Sequence, residues 1–244
     1  MENILQNISV IQERIASACA RAGRNRDEVK LLLATKTVSP ERIKVALGAG
    51  CTLIAENKVQ ELKEKYTALK DTPHTNHFIG HLQTNKIKEI LRCEVTCVES
   101  VDRWDLAQKL HNRLEAEGRT MDIFIQVNTS AEESKYGADP ASVLELVKQV
   151  ATLSTLRIKG LMTIGLFSAE TEKVRECFRL LKQIQQDIVA LGLPNVSPDE
   201  LSMGMSGDLE TAIEEGATIV RVGTAIFGQR VYPDSYYWNE EKGK

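Results

Sequence analysis

Val29-Lys30-Leu31-Leu32-Leu33-Ala34-Thr35-Lys36-Thr37-Val38-Ser39-Pro40 opens on an apolar run, carries a lysine near its end and then turns into a helix. Val29 and Leu31 to Ala34 fit a strand over 29–37 that is covered on both faces, as parallel strands flanked by helices are. With side chains alternating, Leu32, Ala34 and Lys36 point the same way, so the Lys36 ammonium leaves the face that Leu32 helps to fill. A charge there is costly unless it is paired or neutralised. Ser39 then supplies an N-cap and Pro40 the first helical position. Alone, such a lysine reads as a side chain snorkelling from a strand end. The rest of the chain gives it other company.

Short apolar strands and amphipathic helices alternate along the chain as far as about residue 222. Ile4, Ile8, Ile11 and Ile15 mark a helix over 2–22, stopped by Gly23. Further strands are expected at 51–55, 77–82, 94–99, 121–128, 156–164, 200–203 and 218–222. Between them fall helices over 40–47, 58–70, 85–91, 102–117, 140–153, 168–191 and 207–215, with caps at Asp102 and Asp139. Eight such repeats close most simply as a single (β/α)8 TIM-type barrel with an extra N-terminal helix. The expected organisation is one domain over 1–244: an N-terminal helical segment (1–22), the barrel (29–228) and a C-terminal tail (229–244). An open doubly wound sheet would call for Gly-x-Gly-x-x-Gly after its first strand, where this chain has Lys-Thr.

A net charge of −3 gives no basic footprint for nucleic acid. The apolar runs are too short for a membrane span, and Met-Glu-Asn-Ile-Leu-Gln lacks the basic start of a signal peptide. Five scattered cysteines, an odd number, suggest free thiols in a reducing cytoplasm. His74, His77 and His81 have no suitably spaced carboxylate or cysteine, so no metal is expected.

Barrel chemistry sits where strands run into the following helices. The polar residues at those ends are Lys36, Asn57, His81, Asn128, Thr163, Ser202 with Ser206, and Arg221 with Gly223 and Thr224. Ser202-Met203-Gly204-Met205-Ser206-Gly207-Asp208 and Arg221-Val222-Gly223-Thr224 follow strands seven and eight, the usual phosphate cradle of this fold. A lysine sharing a pocket with such a cradle serves either as a point-charge phosphate binder or as a Schiff-base amine. Pyridoxal 5′-phosphate (PLP) needs both a lysine for its aldehyde and an anchor for its phosphate.

Ala34-Thr35-Lys36, Ala55-Glu56-Asn57, His77-Phe78-Ile79-Gly80-His81-Leu82-Gln83-Thr84-Asn85-Lys86, Lys135-Tyr136-Gly137, Gly160-Leu161-Met162-Thr163, the strand-seven segment 201–208 and Arg221-Val222-Gly223-Thr224 together span almost the whole chain. In these stretches the chain resembles the pyridoxal phosphate homeostasis protein family, whose barrel is similar to the N-terminal domain of alanine racemase. The resemblance implies that Lys36 carries the cofactor as N6-(pyridoxal phosphate)lysine. It implies Ser206, Gly223 and Thr224 at the phosphate and Arg221 at the pyridine nitrogen, with Ser202 and Met203 also at the site. Asn57 either contacts the ring, orients Lys36 or caps the next helix, and His81 either lies over the cofactor or is a hydrogen-bonded strand-end histidine.

An arginine stays protonated and cannot hand the ring a proton, which handicaps carbanion chemistry. The racemases add a second domain with a tyrosine base. Only sixteen residues follow Gly228 here, among them Tyr232, Tyr236 and Tyr237, and Tyr136 is the in-chain tyrosine expected near the strand-five mouth. The expectation is therefore a non-catalytic, monomeric PLP-binding protein of the cytoplasm, with PLP-dependent enzymes as recipients. The alternatives are an amino-acid racemase using Lys36 as its single base, and a phosphosugar-type barrel enzyme.

Overall fold

The computed structural model describes residues 2–132, 134–166 and 168–228; the tail 229–244, with its three tyrosines, lies outside them. Eight parallel strands pair in chain order and close into a barrel: β1 (Lys30–Ala34), β2 (Leu53–Glu56), β3 (Thr75–Phe78), β4 (Cys97–Val101), β5 (Met121–Gln126), β6 (Leu156–Met162), β7 (Val196–Ser202) and β8 (Ile219–Val222). Around them run α1 (Glu2–Arg21), α2 (Pro40–Gly48), α3 (Val59–Leu69), α4 (Ile87–Arg92), α5 (Trp104–Ala116), α6 (Val143–Val150), α7 (Thr171–Ala190), α8 (Leu209–Glu214) and α9 (Thr224–Phe227). Among the described residues no helix is long and apolar enough to cross a membrane.

The β1 run explains the closure. Leu31 and Leu33 join the large core between sheet and helices, whereas Leu32 belongs to a second, inner cluster with Ala55, Cys97, Phe124, Met162 and Ile219. Each fully buried leucine is worth about 1.5–3 kcal/mol, and alternation lets one strand feed both cores. Register places Leu32 beside Arg221 and Leu33 beside Val222, so the last strand closes onto the first. Continued by one residue, that register sets Gly223 beside Ala34, two residues before Lys36.

Helix α1 covers that seam from outside, packing on α2, α8 and α9. Its four isoleucines are buried. Asn7 Nδ2 donates to the Ile226 carbonyl at 2.9 Å, and Arg24 donates to the carbonyls of Ile213 and Ala217 at 2.8 Å each. The chain leaves α1 through Gly23 (φ 64°), where Arg24 N returns to Cys19 O, a glycine C-cap.

Several boundaries differ from the sequence expectation. Strand one stops at Ala34, not 37, because Thr37 takes φ 64°, a left-handed turn that no strand continues. β3 starts at Thr75 and ends at Phe78, which leaves His81 in the following loop. Glu94 (φ 56°) belongs to the exit from α4, so β4 begins only at Cys97. β7 begins at Val196, ahead of 200, with a register shift against β6 that accommodates Pro198. Asp139 turns the chain by accepting from Ala141 N, but α6 starts later, at Val143. The N-cap position of α5 is Arg103, not Asp102. Ser39 occupies the N-cap position of α2 without a side-chain bond to its N–H groups.

Candidate functional site

Lys36 lies half-buried on the turn between β1 and α2. The residues on either side of it are fastened. Thr35 N donates to Ala55 O at 3.0 Å, and the Thr35 hydroxyl donates to Glu56 Oε1 at 2.6 Å. Lys65 Nζ, from α3, reaches the Thr35 carbonyl at 2.8 Å, Glu56 Oε1 at 2.7 Å and Glu61 Oε2 at 3.1 Å. Glu61 in turn accepts from Thr37 N at 2.5 Å. Those bonds hold Thr37 in its left-handed conformation and so fix the backbone that carries Lys36. Burial pushes the Glu56 carboxyl up from its ordinary value, against the pull of the Lys65 charge and of the Lys65 and Thr35 hydrogen bonds.

On the other side of the seam, Gly223 occupies the N-cap position of α9 and Thr224 is exposed beside it. A Cβ on Gly223 would stand 2.9 Å from the Ala34 carbonyl oxygen and 3.4 Å from Ala34 Cβ. Only glycine permits that approach, which sets the β8 loop against the end of β1. Ser206 is half-buried in the loop after β7. Arg14 of α1 donates to its carbonyl at 3.0 Å while pairing bidentately with Glu210 at 2.6 and 2.9 Å. Asp208 Oδ1 accepts from Met205 N at 2.5 Å, closing the same loop on itself.

Arg221 is 5% exposed. Its guanidinium donates to the Ser202 hydroxyl at 2.9 Å and to the Thr163 carbonyl at 2.8 Å. Ser202 donates onward to Glu99 Oε2 at 2.5 Å, and Glu99 Oε1 lies 2.6 Å from His77 Nδ1. Burial would raise the Glu99 carboxyl. The His77 hydrogen bond, the charges of His77 and Arg221 and the Ser202 hydroxyl outweigh that and hold it below the ordinary carboxylate range. Burial pulls Arg221 down, while Glu99 and Asp208 oppose it; a guanidinium nonetheless stays charged.

Ser202 and Met203 are wholly buried, and the Ser202 hydroxyl is engaged at both ends. In the described residues both belong to the frame of the site. Asn57 stands half-buried past the end of β2, its Oδ1 without a hydrogen-bond donor among the described residues. Gly80 packs so closely on the Asn57 backbone that a Cβ would lie 1.9 Å from Asn57 O, which joins the β2 and β3 loops. His81 stacks on Tyr136 with ring centroids 4.0 Å apart, and Tyr136 is 46% exposed.

Asn128 is spent on its own loop, donating to the Glu132 and Lys135 carbonyls. The Thr163 hydroxyl bonds to that of Thr129 at 2.9 Å. Lys36, Asn57, His81, Ser206, Gly223 and Thr224 thus all follow C-terminal strand ends, at the end of the barrel where the buried Arg221 closes β8. Sequence reading missed Glu99, Lys65 and Arg14. For Glu99 the one available signal was a carboxylate at the end of the expected strand 94–99, which the structure places inside a strand buried at every position.

Residues 2–231 match the model of the family described as alanine racemase, N-terminal domain. The pyridoxal phosphate homeostasis protein of Aquifex aeolicus is 43% identical over 230 residues, 94% of this chain and 100% of that protein. PipY of Synechococcus elongatus, solved with PLP bound, superposes with a TM-score of 0.78 at 33% identity, covering 89% of this chain and 100% of that one. An alanine racemase of Clostridium difficile shares the fold at 13% identity and a TM-score of 0.75, with 96% of this chain covering 62% of that one. The chain belongs to the alanine racemase N-terminal domain family and, within it, to the pyridoxal phosphate homeostasis proteins.

Proposed function

We propose that this protein binds PLP at the C-terminal mouth of its barrel, carries it on Lys36 and serves cytoplasmic PLP homeostasis, with no turnover of its own. The observation that carries this reading is the close approach, across the β1–β8 seam, of Gly223 to Ala34 at the end of β1, which leads into the fastened Lys36 turn, beside a buried Arg221.

The residues present fit the cofactor. An amine, a glycine-bearing loop with hydroxyls at Ser206 and Thr224, and a fixed cation share one end of the barrel, and Asn57 Oδ1, without a donor among the described residues, is an acceptor that a ligand's donor would satisfy. Lys36 would hold PLP through its aldehyde. Ser206, Gly223 and Thr224 would hold the phosphate, the last two chiefly through backbone N–H groups. Arg221 would serve the pyridine nitrogen, and Asn57 and His81 the ring. When bound, PLP supplies an electrophilic carbon and a ring that draws electrons strongly only if its nitrogen is protonated.

This chain's own groups favour holding over turnover. Arg221 donates to the Ser202 hydroxyl and the Thr163 carbonyl, and a guanidinium does not give up a proton. It would hold the ring without protonating it. The names of the close relatives, and PLP in the PipY structure, support the same reading. Recipients are PLP-dependent enzymes, and the protein acts as a monomer; a native mass measurement checks the latter.

Purified protein incubated with PLP should turn yellow, and a panel of L-amino acids should be turned over no faster than by free PLP. Turnover well above that background would establish the racemase reading, with Lys36 as base. A protein left colourless would remove PLP binding altogether.

A further inference from the structure

We propose that Glu99 is the positioning residue and counter-charge for Arg221, acting through the Ser202 hydroxyl and anchored at its far end by His77. The inference rests on the reading that Arg221 faces the ring of bound PLP. The chain of donors is directional. Arg221 donates to Ser202, Ser202 donates to Glu99, and His77 Nδ1 meets the other carboxylate oxygen. Each link is 2.9 Å or shorter, and Glu99, Ser202 and Arg221 are all at least nine-tenths buried.

The four residues come from β3, β4, β7 and β8, so the chain crosses the barrel interior instead of following one strand. Its outer end reaches the opposite mouth. His77 lines a cavity of about 650 Å³ at the N-terminal end of the barrel, together with Lys30, Thr75, Cys97, Asp122 and Glu200. A guanidinium buried in this way needs a compensating anion, and Glu99 is the carboxylate joined to it through a single hydroxyl. Asp208 adds a further negative charge from the β7 loop. The alternative role for Glu99 is mere space filling, and Glu99→Gln preserves that.

The test uses the full chain as wild type, Glu99→Gln, Ser202→Ala, Arg221→Met and the Glu99→Gln/Arg221→Met double variant. Readouts are the visible absorption maximum of the PLP-loaded protein, the rate of PLP loss after dilution and the melting temperature of the PLP-free protein. Glu99→Gln should displace the absorption maximum and lose PLP about tenfold faster, a factor equal to about 1.4 kcal/mol. Ser202→Ala should move both in the same direction by less. Without PLP, the double variant should melt above the value obtained by adding the two single losses.

A Glu99→Gln protein with wild-type absorption and retention would overturn the proposal, and so would additive melting losses. If Glu99→Gln does not fold, Ser202→Ala decides: an unmoved spectrum overturns the proposal and a displaced one supports it. If the wild type takes up no PLP, the reading of the site falls, while the PLP-free cycle still decides whether Glu99 and Arg221 are coupled.

Discussion

Lys65 Nζ donates to the carbonyl oxygen of Thr35 at 2.8 Å, so a lysine thirty residues away fixes the peptide that precedes Lys36. The same ammonium pairs with the buried Glu56. Removing one partner of a buried ion pair costs about 3–5 kcal/mol, because the other charge stays buried and unpaired. Lys65→Ala is expected to lose stability of that order in urea unfolding and to release PLP faster. A variant as stable as wild type would show that the Thr35 peptide does not depend on this lysine.

Two buried carboxyls should leave opposite marks on the pH dependence of stability. Glu99 sits below its ordinary value in the folded state. Its contribution is fully present above the unfolded glutamate value of ~4.3 and is lost as pH falls through the lower folded value. Glu56 sits above its ordinary value, so the folded state binds its proton more tightly. Wild type therefore loses stability relative to Glu56→Gln as pH rises from ~4.3 through the raised folded value. Urea unfolding of both glutamine variants across the acid range checks the pair of signs, and parallel profiles would contradict them.

Gly223→Ala places a methyl 2.9 Å from the Ala34 carbonyl oxygen, a backbone atom that cannot step aside alone. The β8 loop must back away from the end of β1, at a cost of about 1–3 kcal/mol. Thermal melting should register that loss, and equilibrium titration should show PLP bound more weakly than by wild type. Unchanged affinity would separate the β8 loop from the site.

Arg14 reaches Ser206 from the extra N-terminal helix and is itself about one-third exposed. Its loss should cost only about 1 kcal/mol of stability while loosening the Ser206 loop. Arg14→Ala is accordingly expected to weaken PLP retention more than it lowers melting temperature. Ser206→Ala should weaken retention without abolishing it, since backbone N–H groups remain. Complete loss of PLP in Ser206→Ala would mean that the hydroxyl, not the backbone, is the anchor.

The barrel is legible in the sequence because each strand is a short apolar run and each helix repeats its apolar face at helical spacing. Strand ends are less so. Thr37 and Glu94 adopt left-handed backbone that their residue types do not announce, and the β6–β7 register shift depends on pairing between strands. Of the site, Lys36, Ser206, Gly223 and Thr224 stand out by position after strands one, seven and eight. Glu99 does not: its partners His77 and Ser202 lie 22 and 103 positions away and meet it only once the barrel closes. For the same reason the bridge that Ser202 makes between Arg221 and Glu99 is not visible in the sequence.

On the proposed reading one lysine, held on a fastened turn, carries the cofactor. The most direct test is borohydride reduction of the PLP-loaded protein, followed by proteolysis and mass mapping of the labelled peptide. One pyridoxyl group per chain is expected, on the peptide containing Lys36. A label on another lysine, or none after reduction of a yellow protein, would contradict it.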